Sequence, residues 1–238
     1  MRRSWRKARS NYSFRWHRSW LYVATHRARS SLLSAYNSSS IFTDPFHVRV
    51  NIVYMLNKSG LQIEIQARNL HDEVPCPFMA GWHPWFCVGE ATAAAIVELD
   101  HQSSWNLCEH RPDKIPGTHA KGYNDVVPTG THVPCTYFRG EPLGDHFWDD
   151  CLKSVSALAV DARIHTRIVN ASTTDVYILW QDAAAYKFIQ VYTGRASNGL
   201  VAVEPMSGST DCFNNGDGLI VLQAKEEWRG SFGVTMAS

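Results

Sequence analysis

The sequence has no long apolar run, no close cysteine pair and no sustained helical period. No apolar stretch approaches the roughly 18 residues needed to cross a membrane, so no membrane partner is expected. The six cysteines, Cys76, Cys87, Cys108, Cys135, Cys151 and Cys212, are scattered and form no CxxC motif. No signal peptide is recognisable, which reads as reduced thiols in a cytoplasmic protein. Cys108-Glu109-His110 with His101 matches no closed zinc spacing, so no metal is expected. Gly194, Gly199 and Gly208 form no phosphate-binding signature, and no GxSxG elbow occurs.

Acidic residues are also missing before Asp44, where nine of the 23 basic residues stand. The rest of the chain holds 14 basic against 22 acidic residues. An acidic body argues against nucleic-acid binding. The first 41 residues are rich in Arg and Ser and carry Trp5, Trp16 and Trp20. Such a segment reads as an organellar targeting sequence, as a basic aromatic segment that touches nucleic acid or membrane, or as a frayed or wrongly delimited terminus. The division expected is therefore a basic, poorly patterned segment 1–41 and one domain over 42–238. At 238 residues and 45% hydrophobic, the chain can bury one sizeable core.

What is present is short, alternating, β-branched sequence. His47–Tyr54 and Leu61–Ala67 flank the turn Asn57-Lys58-Ser59-Gly60 and predict a hairpin with one buried face. Further strands are predicted at Ala94–Leu99, Val155–Val160, Arg163–Val169, Tyr177–Trp180, Phe188–Thr193, Val201–Val203, Leu219–Leu222 and Gly233–Met236. Trp20–Thr25 and Ser31–Leu33 are weaker candidates. Many short strands between turn signals indicate an all-β sandwich or barrel.

Three segments carry chemistry. In Val201-Ala202-Val203-Glu204-Pro205-Met206, a carboxylate ends an apolar run and faces a polar, glycine-rich loop. Burial disfavours the charged carboxylate and lifts its pKa toward neutrality, where it suits a general base. Pro205 biases Glu204 toward extended backbone. In Gly81-Trp82-His83-Pro84-Trp85-Phe86, an imidazole stands among aromatics on a stiff backbone, and its ordinary pKa near 6.5 suits proton donation. In Phe147-Trp148-Asp149-Asp150-Cys151-Leu152, adjacent carboxylates read as a loop that binds a cation or is simply solvated.

Together these segments resemble the aldose 1-epimerase (mutarotase) family. The likeness rests on Glu-Pro-Met-Ser with Asp-x-Phe-Asn and Gly-Asp-Gly-Leu, on Asn69 to Pro75 before Gly-Trp-His-Pro-Trp-Phe, and on Asp149-Asp150. Trp85 replaces the family's usual Tyr, and Leu152 stands where Phe is usual. The resemblance implies an antiparallel β-sandwich of the galactose mutarotase-like type. It implies Glu204 as catalytic base, His83 as general acid and Asp149 as holder of sugar hydroxyls. Trp148 is a candidate stacking platform, with packing an equal reading, and Gln190 and Tyr192 are candidate pocket residues, with ordinary strand packing as the plainer reading of both. Lys187 and Arg195 matter only for a phosphorylated substrate. The activity implied is anomer interconversion of a hexose without a cofactor, by a monomer or homodimer. A hexose-6-phosphate epimerase and a non-catalytic sugar-binding relative are the alternatives. The family's early His-Gly segment has its nearest counterpart at His17-Arg18-Ser19-Trp20, which lacks the Gly.

Overall fold

The computed structural model describes residues 46–101, 103–111, 127–156, 162–194 and 199–237. They fall within one compact unit, Ser31–Ser238. His17, Arg195, the strands expected at Trp20–Thr25 and Ser31–Leu33, and most of Val155–Val160 lie outside the described residues.

Alternation builds the first hairpin. Strands β1 (Val48–Asn57) and β2 (Gly60–Asn69) pair antiparallel from Val48↔Asn69 to Asn57↔Gly60, closed by the two-residue turn Lys58-Ser59. Ile63, Ile65 and Ala67 are buried, and the residues between them are only partly so. The chain continues through β3 (Cys76–Phe78), β4 (Trp85–Cys87), β5 (Ile96–Leu99), β6 (Trp105–Arg111), β7 (Val127–Pro134) and β8 (Arg139–Pro142). It then forms β9 (Asp149–Ser154), β10 (Arg163–Val169), β11 (Val176–Asp182), β12 (Phe188–Tyr192) and β13 (Leu200–Met206). A short helix α1 (Cys212–Asn215) precedes β14 (Ile220–Leu222) and β15 (Glu227–Ala237).

One sheet has seven strands in the order β1-β2-β15-β11-β10-β5-β8, a second has six in the order β4-β13-β12-β9-β6-β7, and β14 pairs with β3. The main core gathers Val97, Leu99, Ile164, Ile168 and Leu179 from the seven-stranded sheet. Against them lie Phe86, Trp105, Leu152, Ile189, Val191, Val201 and Val203 from the six-stranded one. A second cluster joins Ile63, Ile65 and Phe232 to Phe78 and Leu222 of the small sheet. The fold is thus an all-β antiparallel sandwich.

Asp149–Ser154 is a central strand, where the sequence suggested a loop. Its alternation is hidden because only Leu152 is a large apolar residue on its core side. Asp150, also on that side, is buried and hydrogen-bonded by the Tyr137 hydroxyl. Val155 lies outside the strand. Asn69, which the sequence tied to the motif before His83, is buried scaffold. Its amide donates to the carbonyls of Val74 (2.8 Å) and Leu222 (3.1 Å), fastening the end of β2 to β14.

Candidate active site

Register on the six-stranded sheet sets the site. Gln190 pairs with Glu204 on one side and Cys151 on the other. Two residues along, Tyr192 pairs with Ala202 and Asp149, and Ala202 with Trp85. Side chains two apart share a face. Glu204, Gln190, Tyr192, Asp149 and Trp85 therefore stand together on the face opposite the core, while Val203, Val191 and Leu152 point into it.

His83 is brought to this face by its neighbours in sequence. The Trp82 ring stacks on Phe232 at 5.4 Å, and its backbone N–H donates to the Pro205 carbonyl at 3.1 Å. Ser207 N–H donates to Ala80 at 2.8 Å, and the Ser207 hydroxyl accepts from Ala80 N–H at 2.9 Å. The two segments run so close that a Cβ on Gly81 would lie 3.2 Å from the Pro205 carbonyl oxygen and 3.3 Å from Met206 Cγ. Pro205 is tolerated inside a strand because its backbone faces this short segment rather than β12, so the β12–β13 ladder loses no donor.

The result is a contact of 3.2 Å between His83 Nε2 and Glu204 Oε1. The Glu204 side chain is 13% exposed and that of His83 53%. Burial, and secondarily the negative charge of Asp149, push the Glu204 carboxyl up to about 8. Burial lowers the His83 imidazole from its usual 6.5, outweighing a hydrogen bond with its own backbone and the pull of Asp149. An ion pair would move both groups the other way. Both shifts favour the uncharged form of each group, which suits a contact in which the carboxyl and the imidazole share one proton near neutral pH.

Asp149 accepts a hydrogen bond from Gln190 Nε2 at 2.7 Å, and Gln190 Oε1 accepts from the Thr210 hydroxyl at 3.2 Å. Gln190, 6% exposed, thus locks Asp149 to the loop after β13. Of the six residues picked out from the sequence, Glu204, His83, Asp149, Gln190 and Tyr192 converge. Trp148 goes elsewhere: its ring packs on Phe138 at 4.7 Å and on the main core, and its indole N–H donates to the Leu143 carbonyl at 2.9 Å. The exposed rings near the site are Phe147 and Trp85, each 46% exposed, which meet Tyr192 edge-on at 5.8 and 5.6 Å. Trp85 also lies 5.5 Å from the His83 ring. Thr210 and Phe147 were missed from sequence. Phe147 adjoins Trp148 at the end of a strand, and no periodicity distinguishes which of two adjacent rings turns out. Lys187 is solvent-exposed.

Two carboxyls, an imidazole and an amide edged by aromatic rings can move protons on a hydroxylated ring whose C–H face lies on the aromatics.

Residues 8–235 match the family model described as aldose 1-epimerase. Among solved structures, the chain is similar to a galactose mutarotase-like protein from Clostridium acetobutylicum. The TM-score is 0.63 at 17% identity, covering 81% of this chain and 57% of that one. It is also similar to an aldose epimerase homologue from C. elegans, with TM-score 0.62 at 14% identity, covering 81% and 61%. A galactose mutarotase related enzyme from Lactobacillus acidophilus gives 0.56 at 19%, covering 87% and 67%. The chain spans less than two thirds of the length of the first two. These likenesses show the fold. No curated protein matches the sequence.

Proposed function

The chain belongs to the aldose 1-epimerase family, and from that premise we propose that it interconverts the α and β anomers of a hexose by acid–base ring opening and closure. The observation that carries this reading is the 3.2 Å approach of His83 Nε2 to Glu204 Oε1, two proton carriers sharing one proton beside Asp149.

The reaction needs a base at the anomeric hydroxyl and an acid at the ring oxygen. Glu204 as carboxylate takes the hydroxyl proton while His83 as imidazolium gives one to the ring oxygen. The C1–O5 bond breaks to leave an aldehyde. Rotation about C1–C2 presents its other face, and the same transfers in reverse close the ring. The catalytic arrangement is the minor tautomer of the one-proton pair, reached when a sugar enters between the two groups and replaces their direct contact. Asp149, held by Gln190, orients hydroxyls, and Trp85, Tyr192 and Phe147 offer apolar surface to the ring. A positioned acid or base typically contributes 10²–10⁴-fold, and fixing the substrate adds the gain of orientation.

Polarimetry of fresh α-D-glucose and α-D-galactose tests this. The protein should accelerate relaxation to the anomeric equilibrium, and Glu204→Gln should lower that acceleration by about 10²–10⁴-fold. A folded wild-type protein that leaves the spontaneous rate unchanged would overturn the catalytic reading. Acceleration confined to 6-phosphorylated hexoses would move the substrate class.

A further inference from the structure

We propose that the same sheet face carries a second site, a zinc(II) site formed by Cys108, Cys151, His132 and Asp217, which fastens the loop after β13 to the sheet. Its residues come from three adjacent strands and that loop. Cys108 on β6 pairs with His132 on β7. The register of β6 against β9, which sets Leu107 opposite Leu152, continues one step to place Cys108 opposite Cys151. Ligand atoms of Cys108, His132 and Asp217 all lie within 4.8 Å of one another. Cys151 stands beside this trio, across the β6–β9 pair from Cys108 and close enough for the two thiols to interact. Both cysteines are 1% exposed, and the side chains of His132 and Asp217 are 24% and 15% exposed, leaving an approach from the loop side.

The chemistry selects the ion. Two sulfurs, an imidazole and a carboxylate suit a tetrahedral, borderline-soft divalent ion and not calcium or magnesium. Asp217 is already oriented. One oxygen accepts from Lys153 Nζ at 2.6 Å, and the other meets His132 Nε2 at 2.7 Å. On binding, the two thiols release their protons to solvent and zinc replaces the His132–Asp217 contact. Two thiolates and one carboxylate then balance Zn²⁺ and the Lys153 ammonium, so the buried group is neutral overall. A purely apolar packing role for the thiols, beside Phe188 and Met206, does not explain why His132, Asp217 and Lys153 converge on them. The spacing rules miss this site because its ligands are brought together by register and not by sequence proximity.

The test uses the full chain without an affinity tag, reduced and stripped of metal by a chelator. Titration with Co²⁺ should bind one equivalent, with a thiolate-to-cobalt charge-transfer band and tetrahedral visible absorption, and one equivalent of Zn²⁺ should displace it. Zinc should also raise the unfolding temperature. Loss of an outer-shell partner typically costs 10–100-fold in affinity, so Cys108→Ser and Asp217→Asn should weaken binding by roughly 100-fold or more. Cys87→Ser, on the far strand β4, should not. Absence of the charge-transfer band in the wild-type protein would overturn the proposal whether or not the variants fold. So would equal affinity in folded Cys108→Ser and wild type.

Discussion

In the proposed mechanism Glu204 and His83 share one proton, and where it resides governs what the pair can do. With two protons the pair has no base, and with none it has no acid. The competent state is bounded below by His83, depressed from 6.5, and above by Glu204, at about 8. The pH profile of kcat/KM for mutarotation should therefore be bell-shaped. Its acid limb should lie below 6.5 and its alkaline limb near 8. An ordinary carboxylate–imidazolium pair would instead give an acid limb near the usual carboxylate range. Measuring the profile in the wild-type protein distinguishes the two, and activity still rising well above pH 8 would rule out the shared-proton account. The two adjacent acids of the third motif divide in the same local way. Asp149 faces the site, and Asp150 turns inward to the Tyr137 hydroxyl.

Elements place these residues, and the sequence revealed the elements unevenly. β2 and β10 were legible because each alternates cleanly over about seven residues, and β1 because it opens on the alternation Val48-Arg49-Val50-Asn51-Ile52. β3, β4, β6, β7, β8 and β9 were not: β3, β4 and β8 are three or four residues long, β6 is mostly polar, β7 is punctuated by Pro128, Gly130 and Pro134, and β9 carries polar groups on both faces. The site was more legible than the sheet that holds it. Glu204, His83 and Asp149 were picked out through motifs and the fold brings them together, whereas Thr210 and Phe147 join the candidate site through tertiary contacts. Trp148 packs, partly buried, against the core, a placement that depends on the turn before β9. The glycine beside His83 also becomes explicable only in three dimensions. A methyl group on Gly81 would meet the Pro205 carbonyl at 3.2 Å and Met206 Cγ at 3.3 Å, and relief comes by moving the His83 segment away from β13. Misplacement by about 1 Å can cost on the order of 10²-fold in rate. Gly81→Ala should therefore lower kcat for mutarotation by roughly 10–100-fold while shifting the urea midpoint little. Equal loss of stability and activity would show that the close approach serves packing alone.

At the scale of the whole molecule, one sheet serves two opposed environments. The core side of β9, β12 and β13 is closed by Leu152, Ile189, Val191, Val201 and Val203, each fully buried. The other side holds a carboxyl that the fold keeps protonated. That arrangement couples stability to pH. In the unfolded chain Glu204 ionises near its ordinary value of 4.5, whereas in the folded protein it retains its proton up to about 8. Between these values the native state binds the extra proton, so this group makes stability fall as pH rises. The slope from one group is at most about 1.4 kcal/mol per pH unit. Glu204→Gln cannot ionise, and its amide can still donate to His83. The variant should therefore gain stability relative to wild type as pH increases, even as it loses activity. Urea unfolding of both proteins at about pH 5 and about pH 8 measures the difference. If their stabilities run parallel, Glu204 ionises as readily in the folded protein as in the unfolded chain. A carboxylate already free at pH 5 could not share a proton with His83, and the acid–base pair would have to be built differently.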